Sequence, residues 1–282
     1  MAKKITRIES ALKRADVDEL VKIVSKLDNS GRDIILGGIS TELTDLKKKK
    51  LIEQIKLSAI ETDEKVKEWL KNGIPEMYIN GMNEANVSLA KYGVKIGKEK
   101  LTIEVLKGST EMSPHLAAVN SLLSDAYLDF GNSMTGYVRG AEHIFNDTIK
   151  KQIQQKLSIG RLDGSSIKEI SKIIKEDLGN RGFTVLLDKG GHSWKLQNYS
   201  EMLARTHLIK ANNEATINRA LDFDIDIVEI SDHSTECKIC MQYEGKIFSI
   251  SGKSNKYPKL DLQAPYHPNC LHSIMPRPDL DE

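Results

Sequence analysis

The sequence predicts a mainly α-helical protein, with an elongated helical body followed by a small α+β domain that zinc stabilises. Through most of the chain, apolar residues recur every three or four positions, as on one face of a helix. The charged fraction is 29% and the aromatic fraction only 5%, which is typical of long helices with wide solvated faces. All three cysteines and most of the prolines lie in the last fifty or so residues.

The composition excludes several classes of protein. Lys and Arg number 41 against 40 Asp and Glu, and this balance argues against tight, sequence-independent binding of nucleic acid. Local lysine patches at Lys47–Lys50 and Lys253–Lys259 leave a contact with DNA open. No apolar run reaches about 18 residues, so we expect no transmembrane helix. Without a signal peptide, an odd number of cysteines predicts reduced thiols and synthesis in a cytoplasm.

Residues 1–112 are predicted to form an N-terminal helical region. A first helix spans residues 4–28 and stops at Asp28–Gly31, with a further break at Gly37 and Gly38. A second helix runs from about Thr41 to Lys71.

A turn at Gly73–Pro75 is expected to end the second helix, because proline fits the first turn of a new one. The next helix runs from Glu76 to about Lys91, and residues 94–112 form a loop or short strands.

Residues 113–160 are predicted to form a long central helix or connector. Ser113 is a plausible N-cap and Pro114 suits the first helical position. Glycines at 131, 136 and 140 indicate a kink or a closely packed face.

The predicted C-terminal α+β domain covers residues 161–282. A capping-box spacing at Ser166–Glu169 starts a short helix that Gly179 ends. Another helix follows over about residues 198–221. Alternating isoleucines predict a strand over 224–230, with a partner strand over 246–250 after a turn at Gly245.

The metal module is predicted within residues 231–276. Cys237 and Cys240 form a CxxC turn, and His267 and Cys270 repeat the same spacing. Two such pairs provide the four ligands of tetrahedral zinc, which mixed thiolate and imidazole donors favour over calcium or magnesium.

The fourth ligand is open at this stage. The spacing favours His267, with His272 as the alternative and His233 as a third choice. A redox pair at Cys237 and Cys240, or a small apolar corner with reduced thiols, is the competing interpretation. A site closed by four protein ligands is structural, so we expect no catalytic residue there.

The same residues resemble the phage minor capsid protein 2 family, which is related to phage Mu F-like head-morphogenesis proteins. The shared pattern is D-x(4)-C-x-x-C-x(4)-G-K-I-F, then Y-P, then A-P-Y-H-P-N-C-x-H. Tyr199–Thr206 resembles the family's Y-x-E-M-x-x-R-T helix, and Ile74–Gly81 its N-terminal pattern. Many relatives end the motif H-P-N-C-R-C, whereas this chain has His272 in place of the last thiol.

The resemblance implies a structural virion protein with no enzymatic activity. It implies a place in the capsid interior or at the portal vertex, with the portal protein and other head proteins as partners. It also implies a role in head assembly and in DNA packaging or ejection. Arg205 and Thr206 would then be structural residues or portal contacts.

The alternative function is a metal-dependent nuclease of the HNH type, with His233 or His267 as general base. Such a base needs a metal with an open coordination position. The tail lacks the additional His and Asn at the expected strand-turn-helix spacing.

Overall fold

The computed structural model describes seven stretches of the chain. They are residues 12, 15–38, 44–97, 100–108, 110–145, 186–188 and 190–281.

Helices dominate the described residues, which confirms the predicted mainly α class. In chain order they are α1 Val17–Gly38, α2 Asp45–Lys91, α3 Ile103–Gly108, α4 Ser113–His143 and α5 Leu196–Leu221. In the described part of the chain, 3-10 turns lie at Thr110–Met112, Cys240–Gln242 and Pro278–Leu280. None of the described helices combines the length and the apolarity needed to cross a lipid bilayer.

Two small antiparallel sheets are present in the described part of the chain. Strands β1 (Leu186–Leu187) and β2 (Ser193–Trp194) form a short hairpin. Strands β3 (Ile227–Ile230), β4 (Ile247–Ser249) and β5 (Ile274–Pro276) form a three-stranded sheet in the order β4-β3-β5. The sheet confirms the predicted α+β character of the C-terminal region.

The chain divides into two compact units. The first comprises Met1–Val17, Trp69–Ala126 and Met202–Glu282, and it contains the three-stranded sheet. The second comprises Asp18–Glu68 and Tyr127–Glu201. The predicted domain boundaries at residues 112 and 160 stay a prediction.

Helix α1 corrects the predicted stop at Asp28–Gly31. The helix continues through these residues and ends at Gly38, so its end coincides with the predicted break at Gly37 and Gly38. A Cβ on Gly31 would lie 2.1 Å from the Tyr137 hydroxyl oxygen, and that hydroxyl donates to the Leu27 carbonyl. The glycine therefore makes room for a buried tyrosine rather than ending the helix. The predicted helical residues 4–11 lie outside the described part.

The predicted turn at Gly73–Pro75 is wrong, because helix α2 continues through these residues. It is continuous over 47 residues and contains Pro75 in its interior. An interior proline costs about 3 kcal/mol because it removes a hydrogen bond and crowds the preceding turn. Ile74, Met77 and Tyr78 beside it are fully buried, so packing of the apolar face outweighs that cost.

The predictions for helices α4 and α5 and for strands β3 and β4 agree with the structure. Helix α4 begins at Ser113 as expected and runs through all three glycines to His143, while α5 extends the predicted 198–221 helix by two residues at its start. Strands β3 and β4 pair as predicted, with Ile227 opposite Ser249. The predicted helix from Ser166 to Gly179 lies outside the described residues.

A polar network within the first unit fixes α5 against α2 and α4. The Tyr78 hydroxyl lies 3.0 Å from His115 Nδ1 and accepts a hydrogen bond from the Asn218 amide at 2.8 Å. His115 Nε2 lies 2.9 Å from an Asp222 carboxylate oxygen, which Arg219 also contacts. Burial raises the pKa of Tyr78 to about 12, so this hydroxyl stays neutral and keeps its proton.

The sheet packs its apolar face on the end of α5. The shared core consists of Ile217, Val228, Ile230, Phe248, Leu260 and Ile274. Both sheet edges are covered. Ser249 of β4 exchanges backbone hydrogen bonds with Pro258 and Leu260. On β5, the Pro276 carbonyl accepts from the Ser88 hydroxyl. Helix α5 and the sheet thereby form one platform beneath the cysteine-rich loops.

Substituting Gly81 with alanine should destabilise the protein, although alanine favours helices. A Cβ on Gly81 would lie 2.2 Å from the Asn212 backbone oxygen on α5. Relieving this overlap requires one helix to shift, so we expect the free energy of unfolding to fall by about 1–3 kcal/mol. Urea denaturation measures the change.

Gly131→Ala is the matched control. Gly131 also lies inside a helix, but a Cβ there meets no atom within 4 Å. The substitution should stabilise the protein by about 0.5–1 kcal/mol. A stabilised Gly81→Ala variant would contradict the close approach of α2 and α5.

Candidate metal centre

A tight turn presents the first cysteine pair. Cys237 and Cys240 follow β3, and the Met241 amide donates to the Cys237 carbonyl at 2.9 Å. The 3-10 turn at Cys240–Gln242 continues into Gly245, whose φ of 67° lets the chain reverse into β4. Cys240 is buried and Cys237 is partly exposed.

A second turn presents His267 and Cys270. The Cys270 amide donates to the His267 carbonyl at 3.1 Å, and Asn269 adopts a left-handed φ of 64°. Asparagine tolerates this conformation better than most residues, which explains the H-P-N-C sequence at the turn. The chain then passes through His272 into β5.

The two turns bring five donor side chains together. Cys240 Sγ lies 3.1 Å from His267 Nε2 and 3.9 Å from Cys270 Sγ, and Cys270 Sγ lies 3.4 Å from His272 Nδ1. Cys237, Cys240 and His267 form one group with donor atoms within 4.8 Å of one another, and Cys240, Cys270 and His272 form another. Cys240 belongs to both groups.

The predicted donors other than His233 therefore fall into two three-donor groups that share Cys240. A tetrahedral zinc with bonds of about 2.0–2.3 Å holds its ligand atoms roughly 3.3–3.8 Å apart, close to the distances observed. The cluster can hold a metal ion. Its five donors exceed the four of a structural zinc site, and which four bind is taken up below.

Hydrogen bonding prepares His267 for coordination. Its Nδ1 lies 2.8 Å from the Pro268 carbonyl oxygen, which can only accept a hydrogen bond. The proton therefore lies on Nδ1, and the Nε2 lone pair faces the Cys240 sulfur. Metal-binding histidines commonly have their tautomer fixed in this way.

His272 lies deeper, with 4% of its surface exposed. Its Nδ1 faces Cys270, while its Nε2 lies 3.5 Å from Glu244 Oε1, at the outer limit of a hydrogen bond. Glu244 is held in turn by the backbone amides of His233 and Thr235.

The buried thiols differ in charge. Burial would raise the pKa of Cys270, but hydrogen bonds from His272 and the Tyr266 backbone outweigh it and lower this pKa to about 7. Burial, followed by the proximity of Cys270, raises the pKa of Cys240 to about 12. The pKa of His272 is raised mainly by its hydrogen bond to Cys270. A thiolate at Cys270 is thus available near neutral pH, and the thiolate is the form that binds metals.

Asn213 attaches the segment from Ala264 to Ile274 to helix α5. Its buried side-chain amide donates to the Ala264 and His272 carbonyls at 3.1 and 2.9 Å. Its amide oxygen accepts from the Ile274 backbone N–H at 3.1 Å. One side chain therefore holds both ends of the segment that carries His267, Cys270 and His272.

The other residues that the sequence analysis considered are His233, Arg205 and Thr206. His233, the third choice for a ligand, lies 2.8 Å from the Ser231 hydroxyl through its Nε2 and packs edge-on against His272. In α5, the Thr206 hydroxyl donates to the Met202 carbonyl of its own helix, and Arg205 is half-buried. Neither α5 residue is among the grouped donors.

Three features of the site escaped the sequence analysis. Glu244 and Asn213 lie outside any Cys or His spacing, so no pattern marks them. Strand β5 is three residues long and ends at Pro276, and the prolines of this segment hide it.

A family comparison covers most of this structure. The profile of the family described as "Phage minor capsid protein 2" matches residues 43–276, from the start of α2 to the end of β5. The chain belongs to this family. The match includes all five metal-ligand candidates, which confirms the resemblance seen in the sequence.

A curated relative supports the same assignment. A protein named "Structural protein" from Lactococcus phage LL-H is 24% identical over 104 residues. The match covers 33% of this chain and 28% of the relative, so it spans less than a third of that protein. No solved structure matches the chain significantly. Family and relative together support a phage structural role.

Substituting Asn213 with alanine should detach the C-terminal segment. The change leaves two buried carbonyls and one amide without their partner, and each unsatisfied group costs about 1–3 kcal/mol. We expect the free energy of unfolding to fall by about 3 kcal/mol or more, with proteolysis concentrated after residue 260. Denaturation and mass spectrometry of limited digests measure the two effects.

Asn255→Ala is the control, because Asn255 is an exposed asparagine of the same region. It should change the unfolding free energy by less than about 0.5 kcal/mol. Equal effects of the two substitutions would show that Asn213 does not hold the segment.

Proposed function

We propose that the protein is a structural minor capsid protein of a phage or prophage head, associated with the portal vertex. In this role it takes part in head assembly and in DNA packaging or ejection. The observation that carries the proposal is the family match over residues 43–276, which includes the helical platform and the cysteine-rich module together. The name of the Lactococcus phage relative agrees with a structural role.

The module holds one zinc ion in this proposal, and the zinc has a structural role. The predicted ligands are Cys237, Cys240, His267 and Cys270, with His272 as the alternative fourth ligand. Thiolate and imidazole donors suit zinc, and the buried thiols and fixed tautomer of His267 fit such an ion. Four protein ligands close the coordination sphere, so the site stabilises the fold and does not catalyse.

The small size of the three-stranded sheet supports a stabilising role for the metal. Its strands are only three or four residues long, and six buried side chains make up its core. A core of this size contributes little stability, and small domains commonly add a metal to compensate. The zinc would tie the loops after β3 and before β5 to each other.

The protein in this proposal resides in the virion and has no enzymatic activity. Its partners are the portal protein and other head proteins, and the lysine patches leave room for contact with packaged DNA. Two exposed apolar side chains of α2, Leu57 and Ile60, are 54% and 61% accessible and offer surface for a protein partner.

Purified protein should contain one zinc per chain. Cys270→Ser removes a buried sulfur ligand, so we expect the zinc to be lost and the segment after residue 230 to become protease-sensitive. The helical circular dichroism signal should change little, since the helices lie outside this segment. Elemental analysis and limited proteolysis test both effects.

Ser273→Ala provides the comparison, since Ser273 lies in the same segment but its side chain is not one of the donors. It should retain full zinc content. A wild-type protein without zinc, or a Cys270→Ser variant with normal zinc and protease resistance, would refute the structural metal.

The portal association is tested by co-expression with the portal protein of the same phage. We expect the two proteins to elute together in size-exclusion chromatography at physiological salt. An unrelated portal, expressed in the same way, is the control for non-specific binding. Complete separation from the cognate portal would contradict the association and leave the family membership intact.

A further inference from the structure

The two histidines of the centre are supported in different ways. His267 is partly exposed, and its Nδ1 contacts the carbonyl of the adjacent Pro268. His272 is buried with Cys240 and Cys270, and its Nδ1 faces Cys270. The all-buried donor group thus contains His272, whereas the predicted histidine belongs to the partly exposed one.

The second ring nitrogen of His272, Nε2, also distinguishes this histidine from His267. Nε2 is fully buried and makes no hydrogen bond to protein within normal geometry. A buried ring nitrogen whose hydrogen bond is not fully formed is costly, and such atoms mark strained or functional positions. The Glu244 carboxylate stands opposite this nitrogen at 3.5 Å.

Glu244 is positioned independently of His272. The carboxylate accepts hydrogen bonds from the backbone amides of His233 and Thr235, and its side chain is 9% exposed. These amides belong to the loop that leads into the CxxC turn. The carboxylate is therefore held in place by the backbone, and it does not depend on the histidine for its orientation.

Coordination explains the arrangement. A metal on Nδ1 requires the ring proton to lie on Nε2, where it points at a fixed carboxylate. A carboxylate that accepts this proton makes the ring a stronger ligand and fixes its orientation.

We infer that His272 is a metal ligand through Nδ1 and that Glu244 is the positioning residue that makes it one. The inference rests on the proposed metal site. Cys240 and Cys270 bind the metal beside His272. One residue of the outer pair, Cys237 or His267, provides the fourth ligand. The sequence spacing that favoured His267 as the sole histidine ligand is then incomplete.

The test is a double-mutant cycle on metal affinity, measured with Co²⁺ and Zn²⁺ against a chromophoric chelator. Glu244→Gln keeps the shape of the side chain and removes its charge. We expect it to weaken binding by about 10–100-fold in the wild-type background, as for other residues that support metal-bound histidines. Glu236→Gln, an exposed glutamate of the same loop, should leave the affinity unchanged.

His272→Cys completes the cycle, because cysteine binds metal without a second ring nitrogen. Glu244→Gln should then cause no further loss, since the proton that Glu244 accepts is gone. In the Co²⁺ complex, this variant should show stronger thiolate-to-metal charge-transfer absorption, which reports one more sulfur ligand. His272→Gln should weaken binding, and circular dichroism verifies that each variant is folded.

Two results would overturn the inference. One is a Glu244→Gln effect that is equally large with cysteine at position 272, which would show a general structural role. The other is wild-type affinity in His272→Gln with no added charge transfer in His272→Cys. In either case a wild-type protein with one bound metal keeps the proposed zinc site, whereas a wild-type protein without metal removes the site itself.

Discussion

The buried amide of Asn213 is the interaction on which the C-terminal region depends. It hydrogen-bonds to residues 264, 272 and 274, which places the His-Pro-Asn-Cys turn and strand β5 on helix α5. The attachment joins the segment that carries His267, Cys270 and His272 to the helix that also contributes Ile217 to the apolar core of the sheet. Because α5 is itself tied to α2 and α4 through Tyr78 and His115, the donor cluster is linked to all three helices.

Helix positions were predictable from the period of apolar residues, whereas helix ends were often not. Gly31 and Pro75 are local signals for a break, yet both lie inside helices. Gly31 makes room for a tyrosine more than 100 positions away in the sequence. The cost of Pro75 inside a helix is offset by the burial of its neighbours. Local sequence does not contain such long-range contacts. Strands β3 and β4 were predictable from alternating isoleucines, but β5 is too short and too rich in proline to give a pattern.

The candidate site was predictable in its members and not in its arrangement. Cys237, Cys240, His267, Cys270 and His272 stand out because their spacing matches metal turns, and the structure places them in two three-donor groups that share Cys240. Spacing carries no information on burial, and burial separates the inner donors from the outer pair. Glu244 and Asn213 could not be found, because carboxylates and amides are common and only the folded geometry shows what they contact.

The covered edges of the three-stranded sheet have a consequence for assembly. Ser88 caps the outer carbonyl of β5, and residues 258–260 take the free side of β4. Edge groups satisfied in this way are not free to pair with a strand of another chain, and open edges are the usual starting point of strand-to-strand aggregation. At these positions the sheet is thereby protected against the addition of a foreign strand.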